Sequence, residues 1–459
     1  MPAPPPISAP PRLLVADQVA GNVRVLDLPD GRERGLVEGR HLAEHAGFLA
    51  LPGGRAAFVD EAAGELVVLD VYGPDHGRPL VETTVPVAVP AEHLAVDPTG
   101  RLVAVTTGLG RNWEPWSDLL TAVDLAAPPG RPRAVRVRTR TGEPGVTVLG
   151  PGPHPGPGQG SPAPDTSGTP DALATPPAPH TPDALVVLRH REPGSFAVYR
   201  HADLMASPPS CPPAVPAAVL PLPDDDAHGD AHDPRTGRLF AAAGSGVHRL
   251  RRDHRADGSP TAEAPLPWGG PGRGYYLRLD PVRRLLWSCV RGGPADPGRW
   301  PEWTNDAWWH DLDSPSDAPP RTGRVPLGPG LVFRLAVAAH HVAYARVHPD
   351  GDELVLLTAH SGVPRVSARV PLPPMDQAPR AGGTPWDGVQ RRAIAASPGS
   401  PLVAVTRGGH GEIHLIDAVR ASAGEPGTAV LAVPTPLNDG GHLALITPGD
   451  GSEADPVGR

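Results

Sequence analysis

The 459-residue chain contains no lysine: all 41 of its basic residues are arginine. That absence removes every chemistry that needs a side-chain amine, namely Schiff-base catalysis, pyridoxal attachment and the lysine of a phosphate-binding loop. A GC-rich coding bias, which also favours Ala, Gly, Pro and Arg, accounts for the missing lysine without altering the exclusion. Cysteine is almost as scarce. Cys211 and Cys289 have no paired spacing, so neither a disulfide framework nor a thiolate metal site is built from them. Cys289, within Leu285-Leu286-Trp287-Ser288-Cys289-Val290, reads as a small buried hydrophobe.

Long apolar runs are missing too. None approaches the roughly 20 residues of a membrane span, and Met1 to Pro11 lacks the basic start and apolar stretch of a secretory signal. The expectation is a cytoplasmic protein with no membrane partner. The formal charge of -9 comes with no basic tract, and nucleic-acid binding needs clustered Arg or Lys to meet phosphates, so no nucleic-acid partner is expected. There is no His-Glu-x-x-His helix and no serine nucleophile elbow, since Gly244-Ser245-Gly246 lacks the flanking pattern. Gly269-Gly270-Pro271-Gly272 has no helix after it and does not cradle phosphate.

What the chain does have is one repeated phrase. In its clearest copy Leu94-Ala95-Val96 leads into Asp97-Pro98-Thr99-Gly100-Arg101, then Leu102-Val103-Ala104-Val105, then an apolar run from Leu119 to Asp124. Asp233-Pro234 precedes Leu239-Phe240-Ala241-Ala242, Asp280-Pro281 precedes Leu285-Leu286-Trp287, and Ser397-Pro398-Gly399 precedes Leu402-Val403-Ala404-Val405. Units of a few strands cannot bury their own apolar faces, so neighbours must stack. The spacing predicts units at about 12–38, 46–89, 92–138, 145–222, 228–266, 274–327, 331–372 and 389–434. The first lacks an opening strand, and His442-Leu443-Ala444-Leu445-Ile446 is a strand without a unit. Joined, they complete one blade, which is how a toroidal sheet hides its edges. The predicted fold is all-β: an eight-bladed β-propeller, seven blades being the alternative, closed by pairing the C-terminal strand with the first blade. It spans 12–447, with tails at 1–11 and 448–459. The Pro/Gly-rich tract 150–182, which contains His154 and His180, reads as a solvated insertion.

Leu14-Val15-Ala16-Asp17 followed by Gly21-Asn22-Val23-Arg24-Val25-Leu26-Asp27-Leu28 resembles the repeat of YVTN and lactonase-like β-propellers. The resemblance implies fold rather than activity, since such propellers include sugar-lactone hydrolases, dehydrogenase heavy subunits and metal carriers.

Propeller ligands bind where the innermost strands converge. The residues leading into those strands are Glu44-His45, Glu92-His93, His228-Gly229-Asp230, Tyr275-Tyr276, Arg334, Gln390-Arg391-Arg392 and His442. Imidazole and carboxylate ligands suit zinc or copper, so His45, His93, His228, Asp230, His232 and His442 are the candidate metal ligands. An extended His228-x-x-x-His232 spans about 13 Å and needs a turn to chelate one ion. Glu92 and His93 are the candidate proton-transfer pair. Tyr275, Tyr276, Arg334, Arg391 and Arg392 are candidate ligand-binding residues, because guanidinium groups take carboxylate or phosphate in a fork. The expected partner is thus a small anion or a metal ion. Four tryptophans between Trp300 and Trp309, like Trp113 and Trp116, either pin a loop or, if exposed, form a platform for a partner protein.

Overall fold

Alternation of period two along each strand sets the architecture. In the strand Ala91–Val96, Leu94 and Val96 pack toward the preceding sheet, whereas Ala95 packs toward the following one. A sheet with two apolar faces must be covered on both sides, and a ring of such sheets satisfies all of them. The computed structural model describes residues 9–448 and 456–457, apart from 75–76, 109–116, 128–130, 151–183, 224–226, 253–259, 315–318, 359–362, 380–381, 386–389 and 438–440. Trp113, Trp116, His154, His180 and nearly all of the 150–182 insertion and the two tails therefore lie outside the described residues.

Among the described residues the chain forms eight antiparallel sheets. The fold is the eight-bladed propeller that the repeat predicts. Blade 1 takes its three outer strands, Arg12–Asp17, Asn22–Asp27 and Glu33–Glu38, from the start of the chain, and its innermost strand, His442–Ile446, from the end. Arg12 stands opposite Ile446 and Ala16 opposite His442. The other innermost strands are Phe48–Leu51, Ala91–Val96, Gly145–Leu149, Asp230–Asp233, Arg273–Asp280, Leu331–Ala338 and Ile394–Ala396. Each touches the next, and His442–Ile446 touches Phe48–Leu51, so the ring closes. Blade 2 carries a fifth strand, Pro456–Val457, on the inner edge of Phe48–Leu51. In blade 4, Leu149 pairs with Leu185, bringing the two ends of the insertion side by side.

Eight apolar clusters fill the eight interfaces between blades. Arginine clasps reinforce them. Arg189 of blade 4 reaches Asp230 of blade 5 at 2.7 Å, Arg284 of blade 6 reaches Asp233 of blade 5 at 2.6 and 2.7 Å, and Arg12 of blade 1 donates to the Val71 carbonyl of blade 2 at 2.6 Å. A guanidinium suits such joints because its planar fork serves a carboxylate and a carbonyl together.

The repeated Asp-Pro phrase now has a physical cause. Asp97, fully buried, accepts from the backbone amides of Thr99, Arg101 and Leu102 and from the Thr99 hydroxyl at 2.6–3.2 Å. Asp233 takes the amide of Arg235 besides the Arg284 fork, and Asp280 takes the amide and guanidinium of Arg283. The carboxylate satisfies the amides of the corner between the innermost and second strands, as Asp does in turns generally.

Two expectations are corrected. The Trp300–Trp309 stretch is not an exposed platform: Trp300, Trp303, Trp308 and Trp309 are all buried. Part of it is also not a connection, because Thr304–Asp311 is the third strand of blade 6. Trp300 and Trp303 pack with Leu331, Val347 and Met375 beneath Phe333, and the Trp303 indole donates to the Pro294 carbonyl at 2.9 Å. Rings of this size hold a long loop down by burying area. Cys289 is buried as expected, and burial pushes its thiol up to about 12.

Candidate functional site at the channel mouth

Four antiparallel strands return the chain to its starting side, so every innermost strand runs the same way and all of them begin at one mouth of the channel. Three begin irregularly. Register slips between Ala91 and His93, between Gly274 and Leu277, and between Val332 and Leu335. Each slip holds one extra residue, and the residues within the slips are Glu92, Tyr275-Tyr276 and Phe333-Arg334. A bulge frees a residue from the pleat and re-aims its side chain, and here three blades place bulges at the same level.

On the side of blades 2 to 4 the mouth is acidic. The His45 ring Nδ1 meets the Glu92 carboxylate at 2.8 Å, with His45 itself largely exposed. The Glu92 hydrogen bond, helped by the charges of Glu92, Glu44 and Glu143, raises the His45 pKa. Glu143, at the start of the blade 4 strand with a φ of 52°, is a mouth residue that the sequence reading missed. Its position just before an innermost strand was the available signal.

Opposite, on blades 6 to 8, the mouth is basic. Leu331, Phe333, Arg334, Gln390 and Arg391 line a shallow pocket. Arg391 stacks over Phe333 at 5.5 Å. Arg334 has no ion pair or hydrogen bond to any described residue. Burial, with the neighbouring charges of Arg391 and Arg278 opposed by Glu44, pulls its pKa down to about 10. Arg278, two residues beyond Tyr276 and buried, is the second residue that went unnoticed. His442 sits between the halves: burial first, then Arg334 and His45, depress its pKa to about 3. It is neutral at ordinary pH.

Several candidates have other duties. Arg392 is buried against Asp352, at 2.6–2.8 Å, and donates to the carbonyls of Thr406 and Pro373. It joins blades 7 and 8 and also lines the pocket beside Arg334 and Arg391. Tyr276 donates to the Val332 carbonyl at 3.1 Å, and its burial raises its pKa well above the usual range. Tyr275 accepts from Arg291 at 2.6 Å, with Arg273 and Arg291 over its ring and His228 at its edge, 6.1 Å between centroids. His93 is buried across from Thr106, one residue past the bulge, so the residue that meets Glu92 is His45.

The six proposed metal ligands do not converge. Asp230 is held by Arg189, His232 is driven to about 4 by burial, and His45 faces Glu92. Among the described residues no group of three or more His, Cys, Asp or Glu side chains is placed to hold one ion. Asp230–Asp233 is a strand, and His228 lies at the edge of the Tyr275 ring.

Fold and mouth together define the class: an eight-bladed propeller whose channel opens on a charge-divided rim. No family model matches the sequence, and no curated protein matches it. Solved structures do resemble it. Apo AztD from Citrobacter koseri superposes with a TM-score of 0.61 at 14% identity, covering 97% of this chain and 99% of that one. A second Citrobacter koseri AztD structure gives 0.58 at 13% identity, covering 96% and 98%. The dihydro-heme d1 dehydrogenase NirN, in complex with DHE, gives 0.51 at 14% identity, covering 98% and 78%. These likenesses establish the shared propeller fold. No helix among the described residues is long and apolar enough to cross a membrane.

Proposed function

We propose that the protein binds a small anionic molecule at the channel mouth, with Arg334 as the anchor and Arg391 beside it. One observation carries the reading. Arg12, Arg189, Arg284 and Arg392 are buried and each has a carboxylate, whereas Arg334, half-buried and aimed by a bulge, has none among the described residues. An unpaired guanidinium at a concave site is costly unless a ligand completes it. NirN, whose structure resembles this one, is described as in complex with DHE, consistent with this architecture holding a ligand. The test is calorimetric titration with a panel of small carboxylates and phosphates. Wild type binds at least one, and Arg334→Gln loses it; a panel that binds Arg334→Gln and wild type equally removes the reading.

A second reading has its own observation. With Nδ1 held by Glu92 and the ring largely exposed, His45 has the arrangement of a general base or acid steered by a carboxylate. That arrangement favours hydrolysis or isomerisation of the bound anion, with His45 and Glu92 in place of the Glu92–His93 pair. The corresponding test is turnover: His45→Gln abolishes it while leaving the anion affinity in place, and unchanged turnover eliminates His45 as the proton carrier.

A further inference from the structure

A second charged surface lies away from the channel, on the outer wall of blade 3. Arg131, Arg133, Arg136, Arg138 and Arg140 are five arginines within ten residues, with no acidic residue between them, a basic stretch that the sequence reading missed beneath the net charge of -9. In the outermost strand, Arg133–Thr139, Val135, Val137 and Thr139 are buried and Arg136 and Arg138 stand exposed between them. Alternate residues of a strand lie about 6.8 Å apart on one face. In blades 1, 6 and 7 the outer two strands neutralise such arginines: Arg24 meets Glu33 at 2.6 Å, Arg324 meets Asp306 at 2.8 Å, and Arg369 meets Glu353. In blade 3 the residues opposite Arg136 and Arg138 are Thr121 and Leu119, and Asp124, opposite Arg133, is taken by the Arg101 fork at 2.7 Å. Arg133 donates to the Met205 carbonyl at 2.6 Å, and Arg140 is tied to the Pro193 carbonyl and the Ser195 hydroxyl. None of Arg131, Arg133, Arg136 and Arg138 has a carboxylate partner among the described residues.

Edge strands often carry charge simply to keep other strands from pairing. Here that duty is already met, because the Arg138 amide donates to the Pro212 carbonyl at 2.9 Å and the Arg138 carbonyl accepts from the Ala214 amide at 2.8 Å. With the backbone covered, the side chains are the recognising groups. Like charges side by side repel, and an oppositely charged partner removes that cost. The strip is one strand wide: Leu80–Pro86, the outermost strand of blade 2, carries Glu82 and no arginine, and Ala218–Pro221 of blade 4 carries no charged side chain. A duplex sets its phosphates across a broader face, and single-stranded nucleic acid needs aromatic platforms for its bases. None of these three strands contains an aromatic residue. An extended peptide fits, since its own alternate side chains share the same repeat. Val215, next along the covering segment, is 86% exposed and adds an apolar contact. We propose that the outer strand of blade 3 docks an extended acidic segment of a partner protein, its alternate Asp or Glu side chains meeting Arg136 and Arg138, with Arg131 and Arg133 continuing the track. The surface is independent of the channel mouth.

The probe is a fluorescein-labelled peptide with Glu at alternate positions and Thr or Val between them, about ten residues long to match one strand. It is titrated by anisotropy with the full chain at about 50 mM salt, where exposed charges are weakly screened. The peptide should bind, and the double variant Arg136→Glu/Arg138→Glu should weaken it about 10-fold or more. Arg32→Glu/Arg365→Glu makes the same change in net charge on blades 1 and 7 and should shift the affinity less than about twofold. Should the double variant fold poorly, Arg136→Gln and Arg138→Gln, made singly, carry the same comparison. An oligothymidylate of matched charge that binds more tightly than the peptide assigns the strip to nucleic acid and overturns the proposal. So does a peptide that fails to bind, or one that the blade 3 and control variants weaken equally.

Discussion

The two ends of a single strand differ in how they treat charge. Arg273–Asp280 finishes at Asp280, which is 0% exposed and accepts from the amide and guanidinium of Arg283. Near its start Tyr275 and Tyr276 lie in a bulge, and it passes Arg278, a buried guanidinium that donates to the Leu277 carbonyl and meets no carboxylate among the described residues. Asp97 and Asp233 repeat the first pattern at their corners, and Arg334 repeats the second at the mouth. A buried polar group is stable when its partners are in place, so the corners are finished structure. At the mouth, Arg334 meets no carboxylate among the described residues. Completed groups mark where the fold is held.

The sharpest way to break this contrast is to open a corner. Arg284→Ala strands the buried Asp233 carboxylate and should cost about 3–5 kcal/mol of unfolding free energy in urea titration; a loss below about 1 kcal/mol would mean that the clasp is incidental.

At the mouth the sign depends on pH. The folded-state pKa of His442 lies near 3, below its ordinary value, so the unfolded chain binds the proton first and stability falls as pH drops from about 6.5 toward 3. Between about pH 7 and pH 5 this single group should account for about 2 kcal/mol. His442→Gln should lose correspondingly less stability over that range.

Arg334→Leu makes the opposite comparison. Removing an uncompensated cation should leave stability unchanged or raise it by about 1 kcal/mol, while anion binding disappears. A destabilisation comparable to that of Arg284→Ala would place Arg334 among the structural clasps. The smallest effect belongs to His45, whose ring is largely exposed. His45→Gln should alter the melting free energy by less than about 0.5 kcal/mol. Its raised pKa means that any contribution is fully present below about 6.5 and fades as pH rises through the folded value.

Much of the ring could be read in advance because its rules are local. Alternation in Leu94-Ala95-Val96, the Asp-Pro turn and the orphan strand at His442 each follow from a few neighbouring residues. The mouth was legible only as a list of positions. Glu92 and His93 look like a pair in the chain, yet a bulge turns Glu92 toward His45, 47 positions away. Arg391 and Arg392 look equivalent, yet Asp352 of the neighbouring blade takes the second. Bulges arise from how two strands fit, which periodicity alone does not reveal.

Sequence by itself pointed to the strands, their turns and a closed ring of eight or seven blades, because the strand-and-turn pattern recurs within each short unit. Only the tertiary structure decided which charges were neutralised. Ion pairing depends on distances between residues tens or hundreds of positions apart, and those distances exist only once the ring has closed.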